Sequence, residues 1–174
     1  MKKFLALLKR HRRTIGIALV VVFIAIQFFR PAKNQSSAPS GHEVTQLFPV
    51  PDNVMATLKA SCYDCHSNNT AYPWYNNVQP VAWWLSNHVH SGKRALNFDE
   101  FTTVAPNRQF KRLQDIQKQI REDEMPLSSY TLIHRYAILS DAQKKDIIDW
   151  AAGAEETMKA KYPADSLKMP PRKR

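Results

Sequence analysis

The stretch Ala60–Asn69, ASCYDCHSNN, holds both cysteines of the chain, three positions apart, with His66 directly after the second. Two thiols and an imidazole packed this tightly suit three chemistries. They can form a disulfide or a thioredoxin-like redox pair. They can make half of a zinc site. The spacing C-x-x-C-H can also attach a haem covalently.

The surrounding sequence separates these readings. Pro51 and Asp52 start a helix pattern, and Val54, Leu58 and Cys62 follow at four-residue steps, predicting a helix from Asp52 to Cys65. On that helix Cys62 and Cys65 share a face. Two such thiols suit the two vinyl groups on one edge of a haem, and His66 offers an imidazole nitrogen to the iron. A zinc site wants a second ligand pair, and His88 and His90 are only two apart. A thioredoxin-like domain wants a βαβ pattern, and the flanking pattern is helical. Covalent haem attachment is therefore the expectation, with Cys62, Cys65 and His66 holding one haem c.

A haem iron takes a sixth ligand or leaves a pocket for one. Of the five methionines, Met1 lies in a basic head and Met55 on the same helix as the cysteines; Met158 and Met169 lie in a polar stretch with prolines. Met125 follows a helix pattern and precedes Pro126, which stops a helix from continuing. It is the favoured sixth ligand. His88, His90 and His134 are its rivals, and an open site is the remaining alternative.

The elements that must position these groups are helical. "QPVAWWLSNHVHSG" reads as a helix with Pro80 at its start and Gly92 past its end. "NRQFKRLQDIQKQIRED" places Phe110, Leu113, Ile116 and Ile120 on one amphipathic face. "LSDAQKKDIIDWAAG" opens with a capping box, Ser140 to Gln143, and should bury Ile147, Ile148 and Trp150 or Ala151. No stretch alternates like a strand. Trp83, Trp84 and the run "AYPWY" are candidate walls for the haem pocket, and equally for plain core. The expected fold is all-α.

The N-terminal residues read as an anchor. Ile15–Phe29 is an apolar run preceded by six Lys/Arg, with only Arg30 and Lys33 shortly after it. A helix from Arg13 to Arg30 with both arginines snorkelling would reach roughly 27 Å, enough for a bilayer core. No clean cleavage site follows. The charge asymmetry keeps the head in the cytoplasm and exports the rest. The expected organisation is a basic head and transmembrane signal anchor over 1–30, a flexible linker over 31–44, a haem-binding domain over 45–154 and a polar basic tail over 155–174. The expected location is the inner (cytoplasmic) membrane, single-pass, with the C-terminal domain in the periplasm or at the cell exterior.

The formal charge of +10 does not mark a nucleic-acid binder. Twelve of the 25 Lys/Arg lie in residues 1–33 and 168–174, which leaves 13 basic against 15 acidic residues between them. No basic stripe interleaved with aromatics is present, so nucleic acid is excluded as a partner.

The order of C-x-x-C-H, a later Met-Pro loop and a last helix resembles class I cytochrome c. More closely, "CYDCHSNNTAYPWY", "QPVAWWLSNHV", "GKRALNFDEF", "DEMPLSSYTLIH" and "LSDAQKKDIIDW" resemble the bacterial membrane-anchored haem-binding domain family, over about residues 45–152. The resemblance implies haem bound covalently at Cys62 and Cys65, with His66 axial and Met125 as distal ligand. The chain departs from the pattern at "EMPL", where a second proline is expected.

The functional expectation is an anchored mono-haem electron carrier, with a membrane and a redox partner protein as its partners and no catalytic residues of its own. A haem-based sensor or peroxidase-like enzyme with an open distal site is the first alternative. A haem-free thiol–disulfide oxidoreductase using Cys62 and Cys65 is the second.

Overall fold

The computed structural model describes residues 2–170. Met1 and the last four residues of the basic tail lie outside the described residues. Among the described residues seven α-helices carry the fold: α1 Lys2–Ile26, α2 Asp52–Ser61, α3 Tyr63–His66, α4 Val81–Ala95, α5 Pro106–Arg121, α6 Ser128–Thr131 and α7 Asp141–Lys161. Among the described residues there is no strand, only a bridge between His42 and Glu100. The all-α expectation is met.

The chain divides into two compact units. One takes residues up to Lys33 together with Tyr72–His88; the other takes Asn34–Ala71 and everything from Val89.

In the first unit, α1 exposes its apolar side chains, among them Ile17, Leu19, Val21 and Phe23. Past its end, the Phe29 carbonyl accepts from Gln79 Nε2 and from Trp83 Nε1, each at 2.8 Å. Gln79 is buried, whereas Trp74, Trp83 and Trp84 are exposed, so these tryptophans do not form the expected pocket wall. No helix among the described residues is long and apolar enough to cross a membrane, which corrects the transmembrane helix expected over 13–30. The physical reason is length. α1 ends at Ile26, and Lys9, Arg10, Arg12 and Arg13 occupy the turn before the apolar run. The uncharged stretch from Thr14 to Ile26 spans only about 20 Å at 1.5 Å per residue.

The second unit is built on α5 and α7. α5 buries Leu113, Ile116 and Ile120 as its spacing predicts. α7 starts with the expected capping box, in which Ser140 Oγ accepts from the Gln143 N–H and Gln143 answers to the Ser140 backbone. Ile147, Trp150 and Ala151 face the core with Val54 and Leu58 of α2, Phe98 and Phe101. α7 does not stop at Gly153. It runs to Lys161 and buries Ala154 and Met158, and Leu167 of the next turn is buried too. Residues 155–167, expected in a solvated tail, thus form helix and turn that bury Glu155, Met158 and Leu167. The stretch 34–44, expected as a flexible linker, is also tied down. The Asn34 carbonyl accepts from the Thr70 N–H at 2.9 Å, Asn34 Nδ2 donates to the Ser67 carbonyl at 2.9 Å, and Val44 is fully buried.

Candidate haem site

The expected continuous helix from Asp52 to Cys65 is broken at Cys62, whose φ of −126° leaves the α region. α2 ends at Ser61 and the single turn of α3 carries the chain to His66. The Cys62 carbonyl accepts from both the Cys65 and His66 N–H groups, at 3.1 and 3.0 Å, so the motif folds as its own tight turn. The two thiols are not joined in a disulfide.

Gly92 explains how α4 meets this turn. A Cβ there would lie 2.6 Å from the Cys65 carbonyl oxygen and 3.0 Å from Cys65 Cβ. Gly92 does not end α4, as its position suggested; it sits inside the helix, where only a missing side chain lets the backbones approach this closely.

His66 is held by its own backbone surroundings. Its Nδ1 lies 2.9 Å from the Leu96 carbonyl, and its carbonyl accepts from the Phe98 N–H at 2.8 Å. A carbonyl can only accept, so Nδ1 carries the proton and Nε2 keeps its lone pair. Burial lowers the His66 pKa, which the bond to Leu96 partly offsets. The ring is neutral and oriented, the state an iron ligand requires.

Cys62 and His66 open onto a cavity of about 360 Å³. Leu58 of α2, Leu96, Phe98 and Ile147 of α7 supply apolar wall. α5 contributes Arg112, Asp115, Ile116, Gln119 and Ile120, the one face that steps of three and four residues generate. Met125 and Pro126 complete the lining. Cys65, half-buried against Gly92, does not line it.

Met125 reaches the cavity because α5 is stopped sharply. Asp123 takes a left-handed φ of 55°, a conformation Asp tolerates, and its carboxylate pairs with Lys144 of α7 at 2.5 Å. The Glu124 and Met125 N–H groups then donate back to the Gln119 carbonyl at 3.0 and 3.3 Å. None of the three histidines that rivalled Met125 lines the cavity. His88, in the first unit, bonds to the Trp84 carbonyl at 2.9 Å and packs on its ring; His90 is exposed; His134 stacks on Tyr130 at 4.3 Å.

The electrostatics of the thiols are informative. Burial, with Cys65 adjacent, pushes Cys62 up to about 12; burial and then Asp64 push Cys65 up to about 11. Reactive thiol–disulfide centres lower these values to expose a thiolate. Among the described residues, no three His, Cys, Asp or Glu side chains converge to hold a metal ion by themselves, which leaves a zinc site without its second ligand pair.

Two neighbours of the site were not singled out in the sequence. Asp64 binds the Ala71 N–H through Oδ1 at 2.9 Å and the Tyr130 hydroxyl through Oδ2 at 2.7 Å. Arg112 has its Nη1 buried without a hydrogen-bond partner. A readable signal existed for Arg112: it stands four and eight residues before Ile116 and Ile120, on the apolar side of α5.

These residues fit a haem. An oriented neutral imidazole, a thioether and a thiol share one largely apolar cavity, a donor set suited to axial ligation and thioether attachment. No curated protein and no solved structure matches the chain. The sequence profile of the haem-binding domain matches residues 21–153, most of the chain and all of the cavity lining. The chain therefore belongs to the haem-binding domain family.

Proposed function

We propose that the protein carries one haem c and passes single electrons to and from a redox partner. The observation that carries this reading is the convergence of Cys62, His66 and Met125 on one cavity. The Cys62 and Cys65 thiols would each add S–H across a vinyl double bond, giving two thioether links with no atom lost. His66 Nε2 and the Met125 sulfur would hold the iron. Bound in this way, haem supplies a one-electron couple, and thioether ligation raises its potential.

The chain's own part is to hold these groups still. The Leu96 carbonyl fixes the His66 ring, the Gln119 carbonyl and Asp123 fix the Met125 loop, and apolar side chains exclude water. The neutral thiols favour this reading over thiol–disulfide exchange. The order of the Cys62–His66 turn, the Met-Pro loop and α7 resembles that of class I cytochrome c.

The apolar stretch Ile15–Phe29 attaches the protein to the cytoplasmic membrane in this reading. The exposure of apolar side chains along α1 supports attachment.

The test is spectroscopic. The purified full-length protein should show a ferric low-spin spectrum with a near-infrared sulfur-to-iron charge-transfer band and should sediment with membranes. A high-spin ferric spectrum that binds cyanide at once would replace the electron-carrier reading with a sensor or peroxidase-like one. A soluble protein lacking its first thirty residues would remove the membrane attachment.

A further inference from the structure

We propose that Arg112 binds a propionate carboxylate of the haem. The inference rests on the haem reading above and names a contact that reading does not contain.

Three observations lead to it. First, α5 turns Arg112 toward the same cavity as Cys62, His66 and Met125. Second, Nη1 is buried and meets no hydrogen-bond partner. Buried polar groups are almost always paired, and Nη1 is such a group although Arg112 as a whole is half-buried. Third, among the described residues no carboxylate pairs with Arg112. Asp115 lines the cavity too, but its carboxylate is engaged by Lys111, one turn earlier on α5. Arg108, a turn before Arg112, adds like charge. The other buried orphan, Gln109 Oε1, lies outside the cavity lining.

The chemistry of the cofactor supplies what is absent. A haem is apolar over most of its surface and anionic only at its two propionates. The vinyl groups lie toward one side of the macrocycle and the propionates toward the other. With the vinyl side linked at Cys62 and Cys65, the propionates would face away from the turn that carries these cysteines. Arg112 enters the cavity from α5 and not from that turn. A guanidinium matches a carboxylate with two parallel N–H donors, a geometry that lysine cannot reproduce.

The experiment uses the haem-loaded full-length protein with Arg112→Gln and Arg112→Lys. Haem per chain, read on a denaturing gel, sets the amount of loaded protein compared in each variant. The propionate-bending mode in the resonance Raman spectrum should shift in Arg112→Gln, and the reduction potential should fall with the loss of a cation beside the haem. Arg112→Lys should restore the potential and only part of the Raman shift. A purely structural role would not produce this split. Raman mode and potential both unchanged in Arg112→Gln would overturn the proposal while leaving the haem reading intact. A wild-type chain that carries no haem would overturn both. If Arg112→Gln does not accumulate, a crystal structure of the haem-loaded wild type decides: a propionate oxygen on the guanidinium supports the proposal, and an Arg112–Asp115 pair contradicts it.

Discussion

The Tyr130 hydroxyl donates a 2.7 Å hydrogen bond to Asp64 Oδ2. Asp64 stands between the two cysteines, and Tyr130 follows Met125 by five residues, so this one bond ties the Cys62–His66 turn to the loop that carries the sixth-ligand candidate. Burial, reinforced by the Asp64 carboxylate, pushes the Tyr130 phenol far above the usual tyrosine range, which keeps it a donor at every working pH. The loop is thus held on both sides of Met125, by the Gln119 carbonyl before it and by Asp64 after it. Tyr130→Phe should cost about 1.5–2 kcal/mol, the lower range for a hydrogen bond to a charged group. Amide exchange from Leu127 to His134 should speed up by about tenfold, since 1.4 kcal/mol is a factor of ten. Unchanged exchange would show that the bond does not hold the loop.

Gly92 and Gly153 both lie inside helices and should respond in opposite ways to alanine. At Gly153 a Cβ meets nothing within 4 Å, so Gly153→Ala should stabilise by about 0.5–1 kcal/mol through helix propensity. At Gly92 the Cβ would strike the Cys65 carbonyl, which cannot swing aside like a side-chain tip. Gly92→Ala should destabilise by about 1–3 kcal/mol and lower haem incorporation. Urea unfolding of both variants checks the pair of signs.

Met125→Ala should leave the haem on the chain in a denaturing gel and abolish the near-infrared band. Added imidazole should then bind the ferric protein far faster than it binds wild type. A wild-type spectrum of bis-histidine type, lost in His88→Ala, His90→Ala or His134→Ala, would reject Met125.

Glu155 is buried beside Gln117, whose Nε2 donates to it, and Arg121 holds Gln117 in turn at 2.9 Å. Burial raises the Glu155 pKa, opposed mainly by Lys159. A carboxyl whose folded value is raised holds its proton more tightly folded than unfolded, so it costs stability once pH rises through the carboxylate range. Glu155→Gln should therefore unfold at higher urea than wild type at pH 7. The gap should narrow as pH falls and the wild-type carboxyl protonates. A gap that is constant with pH would refute the assignment.

The parts that sequence made legible are those written in local periodicity. The α5 face of Leu113, Ile116 and Ile120 and the Ser140–Gln143 capping box are fixed by neighbours within a turn or two. The grouping of Cys62, His66 and Met125 followed from donor chemistry. The misread parts depend on what meets the residue in space. Gly92 looked like a helix end because its partner, the Cys65 carbonyl, is distant in sequence. The break at Cys62 is a backbone feature of the attachment turn, which helix spacing alone does not reveal. The end of α7 was different: Ile147, Ala151, Ala154 and Met158 repeat at helical steps, and the prolines beyond drew the boundary too early. Trp83 and Trp84 show that aromatic content says nothing about which side faces solvent.

The central claim is covalent haem at Cys62 and Cys65, and the pyridine haemochrome spectrum of the full-length protein tests it most directly. Saturating both vinyl groups as thioethers moves the α band to shorter wavelength than that of protohaem. The account predicts the shifted band, retained after acid–organic extraction and lost in a Cys62→Ala/Cys65→Ala double variant. A protohaem band, or a pigment that the solvent carries away, would contradict it.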